Sequence, residues 1–164
     1  MTKVKVAAVQ AATVPFDAAA ATARTVELIA EAAATGASLA VFPEAFIGGY
    51  PKGLDFGCSI GRRTAEGRAD FARYVRGAIT VPGPETETLS AACARHGIHA
   101  VVGVIERDGG TLYCTVLYLS PDGRMGKHRK VMPTGSERLV WGFGDGSTLT
   151  VMDTPFGRVG GAIC

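Results

Sequence analysis

Three side chains of this 164-residue chain have the chemistry needed to attack a carbon–nitrogen multiple bond. The thiol of Cys164 ends the segment PFGRVGGAIC, the carboxylate of Glu44 lies in FPEAFIGGYP, and the ammonium of Lys130 lies in KHRKVMPTGSERLVWGFGDG. A thiol becomes a strong nucleophile where a nearby base or cation lowers its pKa. A fixed cation stabilises negative charge that develops in a transition state. A nucleophile, a base and a cation together indicate covalent catalysis.

Cys164 stands apart from the other cysteines because of the small residues that precede it. Gly160, Gly161 and Ala162 allow a substrate or another backbone to approach closely. We predict that Cys164 ends an apolar strand, which is where the sites of α/β proteins gather. A buried structural thiol is the alternative. That is our interpretation of the remaining three cysteines, Cys58, Cys93 and Cys114.

The charged candidates also have simpler explanations. Glu44 follows a short apolar run, and its aromatic and proline neighbours would desolvate it as a base for proton transfer near neutrality; an exposed loop carboxylate is the alternative. Lys130 is either a fixed cation or a solvated lysine at a strand end. Glu137 lies seven residues after Lys130. It either orients Lys130 or a water molecule, or pairs with Arg138.

Composition narrows the class of protein. With 17 basic and 15 acidic residues, the net charge of +2 gives no case for binding nucleic acid or a membrane surface. No stretch reaches the ~18 apolar residues needed to cross a bilayer, and the N-terminus lacks a cleavable signal pattern. The four cysteines and three histidines show no zinc-binding spacing. We expect a reduced, cytoplasmic protein. The covalent chemistry described above requires neither a metal nor an organic cofactor.

Hydrophobic patterning predicts an α/β fold. Since 47% of the residues are hydrophobic, strands covered on both faces or a large subunit interface are favoured. The first strand, helix and strand form a β-α-β unit, which favours parallel pairing with a right-handed crossover. The predicted strands cover 3–10, 38–42, 99–107, 111–119, 148–152 and 158–163. The predicted helices cover 18–35, 64–77 and 85–95.

Beyond these single residues, the chain resembles the N-terminal half of a nitrilase, in the carbon–nitrogen hydrolase superfamily. The matching segments are KVAAVQAA, ASLAVFPEAFIGGYPKG, EGR…FARY…AITVPGPE, GVIERDGGTLYCT, KHRKVMPTGSERLVWGFGDGS and TPFGRVGGAIC. They occur in the family's order and cover nearly the whole chain. The ERLVWGFGDG stretch is typical of the nitrilase branch rather than of amidases, carbamoylases or biotinidase-like members.

The resemblance implies a role for each matching residue: Glu44 as general base, Lys130 as the cation, Cys164 as nucleophile and Glu137 as an assisting glutamate. The implied reaction is hydrolysis of an organic nitrile to the carboxylic acid and ammonia, through a thioimidate and a thioester on the cysteine. The implied fold is a four-layer α-β-β-α sandwich. Subunits of the family pair sheet to sheet as homodimers and often build larger oligomers or spiral filaments.

Three further residues are candidates for the substrate pocket. Tyr50, Thr134 and Trp141 flank the catalytic segments, and proximity along the chain is the reason for naming them. Core packing or the anchoring of a loop is the alternative for each.

Family subunits are longer than this chain, since a Trp-Glu pair and further strands normally follow the cysteine. We therefore interpret residues 1–164 as a single carbon–nitrogen hydrolase domain that is incomplete at its C-terminus, and expect half a sandwich to leave its core open. Three explanations stay open: a recorded chain cut at a chemically modified Cys164, a genuine truncation or gene fragment, and a second half on a separate chain. Because the last residue of the sequence is the expected nucleophile itself, we favour the first of these explanations.

Other functions stay open as well. A cyanide hydratase or dihydratase shares the same three catalytic residues, and an aliphatic amidase belongs to the same superfamily. An inactive fragment that acts only in oligomer assembly is an alternative of another class. Products from cyanide, nitriles and amides would separate these functions.

Overall fold

A computed structural model describes residues 3–164, which form two sheets and three α-helices. The larger sheet contains, in spatial order, β1 (Val6–Ala8), β2 (Leu39–Val41), β3 (His99–Asp108), β4 (Thr111–Leu119) and β5 (Met125–Arg129). The smaller sheet pairs β6 (Val151–Thr154) with β7 (Gly157–Gly160). The helices are α1 (Ala18–Ala34), α2 (Ala65–Arg76) and α3 (Pro84–His96). Short 3-10 helices cover Gly135–Leu139 and Gly146–Thr148.

Local signals place the first helices as predicted, whereas the first strand, predicted over 3–10, covers only Val6–Ala8. The carboxylate of Asp17 accepts a hydrogen bond from the backbone N–H of Ala20 at 2.9 Å, which caps α1. Pro84 opens α3, and Gly97 ends it in the left-handed conformation at φ 63°. β1, β2 and β3 pair in parallel, and this confirms the β-α-β unit. Within the described residues, no helix is long and apolar enough to cross a bilayer.

The end of the chain differs from the prediction. The strand predicted over 148–152 begins later, at Val151, because Asp145 caps a 3-10 turn through the N–H of Ser147. The strand predicted over 158–163 ends at Gly160. Residues 161–163 then run over the larger sheet, where the carbonyl of Gly161 accepts a hydrogen bond from the Tyr118 hydroxyl at 3.0 Å. Cys164 therefore lies beyond β7, which ends at Gly160, and is not the last residue of a strand as predicted.

The main core lies between α1, α3 and one face of the larger sheet. Side chains alternate along β3, so Ala100, Val102 and Val104 pack against the helices while Val101 and Gly103 lie on the opposite face. β7 and the residues that follow it lie over the opposite face of the larger sheet. One helical layer and one sheet of the implied four-layer sandwich are thus present, with a two-stranded sheet beside the second face.

Buried ion pairs fix β5, which the sequence analysis missed because MGKHR is largely polar, a pattern common on edge strands. The carboxylate of Glu106 is 1% exposed and accepts hydrogen bonds from Lys127, from Arg129 at 2.6 Å and from Thr115 at 2.8 Å. Burial alone raises the pKa of Glu106, but these donors outweigh that effect and hold the pKa below its usual value. Because side chains alternate along a strand, Lys130 is directed to the opposite face from Arg129.

Candidate active site

Lys130 lies at the centre of a buried cluster of charges. Its Nζ is 2.9 Å from Glu44 Oε1 and 2.9 Å from Glu137 Oε2, and the lysine side chain is only 2% exposed. Burial alone lowers the pKa of Lys130, but the hydrogen bonds to Glu137 and Glu44 raise it well above its usual value. The ammonium therefore stays protonated at neutral pH.

The loop after β2 brings Glu44 to this cluster. The N–H of Phe42 donates to the carbonyl of Val101 at 2.8 Å, and the N–H of Ile47 donates to the carbonyl of Gly103 at 3.1 Å, so β3 holds both ends of the loop. Phe42 is buried, whereas the Glu44 carboxylate retains 36% exposure. Its aromatic neighbours thus desolvate Glu44 less than the sequence suggested.

Gly103 makes this arrangement possible. A Cβ atom at this position would lie 2.3 Å from the carbonyl oxygen of Pro43 and 2.8 Å from the Cα of Glu44. Both are backbone atoms, which cannot move aside as a flexible side chain can. A glycine inside a strand often marks such a close approach of two backbones, and this signal was present in HAVVGVIER.

We predict that Gly103→Ala displaces Glu44 and lowers catalytic turnover by about tenfold or more, since misplacement of a reacting group by an ångström is costly. Gly110→Ala is the matched control, because a Cβ at that position in the same hairpin meets no atom within 4 Å. Steady-state turnover and thermal unfolding of both variants check the prediction. Equal activity in the two variants would contradict it.

Glu137 is held by three donors, and Arg138 is not among them. Its Oε2 accepts from Lys130 and from the backbone N–H of Thr134 at 2.6 Å, while Oε1 accepts from the Tyr50 hydroxyl at 2.7 Å. Burial alone raises the pKa of Glu137, but these donors lower it below its usual value. The Arg138 guanidinium instead donates to the carbonyl of Pro133. Of the two roles left open by the sequence, contact with Lys130 is the one observed.

Cys164 faces the cavity that Glu44 also lines. This cavity of about 410 Å³ lies between the larger sheet and residues 159–164, and its walls are mostly apolar. Cys164 is exposed, its backbone is left-handed at φ 64°, and its Sγ lies 3.8 Å from Thr134 Oγ1. A non-glycine residue with positive φ is uncommon and is found more often at functional sites. The thiol and the carboxylate thus face one space.

The three candidate pocket residues occupy different places. Thr134 lines a second cavity together with Cys164, and Tyr50 is 47% exposed next to Glu137. Trp141 is only 2% exposed, and its indole N–H donates to the Tyr74 hydroxyl at 3.0 Å. Its ring centroid lies 5.6 Å from Lys130 Nζ, within cation–π range. Trp141 therefore packs beside Lys130 in the core, the alternative that the sequence left open.

The structure also brings Cys114 to the site, although its sequence context indicated a structural thiol. Its Sγ lies 3.3 Å from Glu44 Oε1, and its carbonyl accepts a hydrogen bond from the N–H of Lys130 at 2.8 Å. The signal was absent from the local pattern because β5, which brings Lys130 beside Cys114, was not predicted. Within residues 3–164, no group of three or more His, Cys, Asp or Glu side chains could hold a metal ion.

Comparison with known sequences identifies the protein family that has this fold and this cluster of charged residues. The chain belongs to the carbon–nitrogen hydrolase family, whose sequence profile matches residues 5–164. This confirms the resemblance found in the sequence.

Several proteins with high sequence identity to this chain are named as nitrilases. The chain is 63% identical over 164 residues to an aliphatic nitrilase of Sinorhizobium fredii, covering 100% of this chain and 53% of that protein. It is 56% identical over 162 residues to a bifunctional nitrilase/nitrile hydratase of Lupinus angustifolius, covering 98% of this chain and 46% of that protein. The chain thus spans about half the length of the curated relatives it matches.

Solved structures agree on the fold. A carbon–nitrogen hydrolase superfamily protein of Xanthomonas campestris matches with a TM-score of 0.74 at 20% identity, over 100% of this chain and 54% of that one. An amidase from a Nesterenkonia species matches with a TM-score of 0.68 at 19% identity, over 98% and 55% of the two chains. At such low identity, these matches establish the fold alone.

Proposed function

We propose that the protein carrying this sequence is a nitrilase, which hydrolyses an organic nitrile to the carboxylic acid and ammonia. The observation that carries this proposal is the buried ammonium of Lys130, held between two carboxylates beside a cavity that Cys164 lines. The high identity to named nitrilases supports the nitrile as substrate. The cytoplasmic location, the single-domain organisation and the assembly into homodimers or filaments stay predictions.

The first half of the proposed reaction forms the covalent intermediate. Glu44 accepts the thiol proton as the sulfur of Cys164 bonds to the nitrile carbon. The nitrile nitrogen receives this proton from Glu44 as the carbon–nitrogen triple bond becomes a double bond, which yields a thioimidate and restores the Glu44 carboxylate. Lys130 stabilises the charge that develops on this nitrogen.

The second half releases both products. The oxygen of a water molecule bonds to the thioimidate carbon, and one water proton passes through Glu44 to the nitrogen. The second water proton also moves to the nitrogen as the carbon–nitrogen bond breaks, and ammonia leaves. This leaves a thioester on Cys164. A second water molecule cleaves the thioester, so the carboxylic acid departs and the thiol is restored. Glu137 takes part by holding the ammonium of Lys130 in place, since it lies 2.9 Å from Nζ.

Product analysis tests the proposal. The natural protein is incubated with an aliphatic nitrile, an aromatic nitrile, hydrogen cyanide and the matching amides, and both ammonia and the carbon product are quantified. Equal amounts of acid and ammonia from an organic nitrile are expected. Formamide or formate from cyanide alone would indicate a cyanide hydratase or dihydratase. Amide turnover exceeding nitrile turnover would indicate an amidase, and no ammonia from folded oligomer would indicate a role in assembly only.

A further inference from the structure

Cys114 contacts both charged partners of the site. It lies on β4 and is 1% exposed. Its thiol is 3.3 Å from Glu44 Oε1, within the range of a sulfur hydrogen bond. Its carbonyl accepts the backbone N–H of Lys130 at 2.8 Å. One residue of β4 therefore contacts the carboxylate and holds the backbone that carries the ammonium.

These contacts make the two oxygens of Glu44 unequal. Oε1 accepts from Lys130 Nζ at 2.9 Å and from the Cys114 thiol. Among residues 3–164, no side chain or backbone group donates to Oε2. A carboxylate whose first oxygen is held by two donors presents the lone pairs of its second oxygen in a defined direction. Since Glu44 lines the cavity with Cys164, Oε2 remains the oxygen available for proton transfer.

We propose that Cys114 is a positioning residue, whose thiol holds Oε1 of Glu44 so that Oε2 exchanges protons with Cys164 and with water. This inference rests on the proposed nitrile hydrolysis. It assigns different tasks to two thiols at one site: Cys164 reacts with the substrate, and Cys114 donates a hydrogen bond.

The surroundings of Cys114 keep it in the donor form. Burial and the neighbouring Glu44 carboxylate raise the pKa of the Cys114 thiol far above its usual value. A thiol in such a place stays protonated and is a poor nucleophile, because the thiolate is the reactive form. Cys93 is another buried thiol, with its pKa raised by burial to about 12, but it lies in the main core among apolar side chains.

Three variants of the natural protein test this role. Cys114→Ala removes the donor, Cys114→Ser keeps one, and Cys93→Ala makes a comparable cavity in the main core as the matched control. A donor favours the charged carboxylate, so its loss makes protonation easier and moves the acid limb of the pH–rate profile to higher pH. We expect this move in Cys114→Ala, together with a fall in turnover of about tenfold.

The readouts separate positioning from packing. Cys114→Ser is expected to restore the acid limb, and Cys93→Ala to lower the unfolding temperature while leaving the limb in place. A profile of Cys114→Ala that coincides with that of the unchanged protein would overturn the proposal. So would a shift that Cys93→Ala reproduces.

A second measurement keeps this inference distinct from the proposed function. Infrared difference spectra follow protonation of the Glu44 carboxyl, which is identified by its loss in Glu44→Gln, and they need no substrate. An upward move of this midpoint in Cys114→Ala, reversed in Cys114→Ser, supports the hydrogen bond even if the protein fails to hydrolyse nitriles. An unmoved midpoint in an active nitrilase overturns the role of Cys114 alone.

Discussion

Replacing Cys164 by alanine should lower nitrile turnover by about ten-thousand-fold or more and leave the fold intact. Alanine cannot form the bond to the nitrile carbon, so neither thioimidate nor thioester can arise. The fold should survive because the change removes one sulfur atom and leaves the backbone unaltered, and the thiol contact observed is with Thr134 Oγ1 at 3.8 Å. We expect the free energy of unfolding to change by no more than about 1 kcal/mol.

The measurement combines ammonia release with mass spectrometry of acid-quenched protein. An acyl adduct should appear on the peptide that contains Cys164 in the unchanged protein and be absent from Cys164→Ala. Cys58→Ala is the matched control, since Cys58 is also an exposed cysteine and does not line the cavity that Cys164 shares with Glu44. Turnover in Cys164→Ala at a substantial fraction of the original rate would rule out the assigned nucleophile.

Replacing Lys130 by methionine should lower both turnover and stability. Turnover should fall by about a thousand-fold, because the cation that stabilises the developing charge is lost. The free energy of unfolding should fall by about 2–3 kcal/mol, because the 11% exposed Glu137 carboxylate loses its nearest cation. Glu44 adds little to this loss, since a carboxylate that is 36% exposed is well solvated without its partner.

The stability loss should depend on pH in a defined direction. The pKa of Glu137 is lowered in the fold, so its contribution is present above the usual value of 4.5 and is lost as pH falls through the folded pKa. The pKa of Lys130 is raised, so its contribution is present below the usual value of 10.5 and is lost only as pH rises beyond it. The difference between the unchanged protein and Lys130→Met should be largest near neutrality and shrink below about pH 4.

Denaturant unfolding at several pH values checks this expectation. Lys127→Met is the matched control, because it removes a half-buried lysine from Glu106 on the other face of the sheet, where Arg129 remains as a partner. It should cost stability and leave turnover nearly unchanged. A stability loss in Lys130→Met that stays constant from pH 3 to pH 7 would contradict the ion-pair explanation.

Local signals in the sequence determined much of the fold. Asp17 as a helix cap, Pro84 and Gly97 around α3, and the Asp108-Gly109-Gly110 turn between β3 and β4 act over a few residues, so their pattern can be recognised without a structure. The family resemblance likewise named Glu44, Lys130, Cys164 and Glu137 from their motifs. The polar strand β5 lacked such a signal.

Only the tertiary structure decided which of these groups meet. Glu44 and Lys130 are 86 residues apart in sequence and 2.9 Å apart in the fold. Glu137 contacts Lys130 instead of Arg138, Trp141 is buried beside Lys130, and Cys114 contacts Glu44. These contacts depend on the register of β3, β4 and β5 and on the close approach at Gly103. Register is set by pairing between distant strands, which no local pattern in one segment contains.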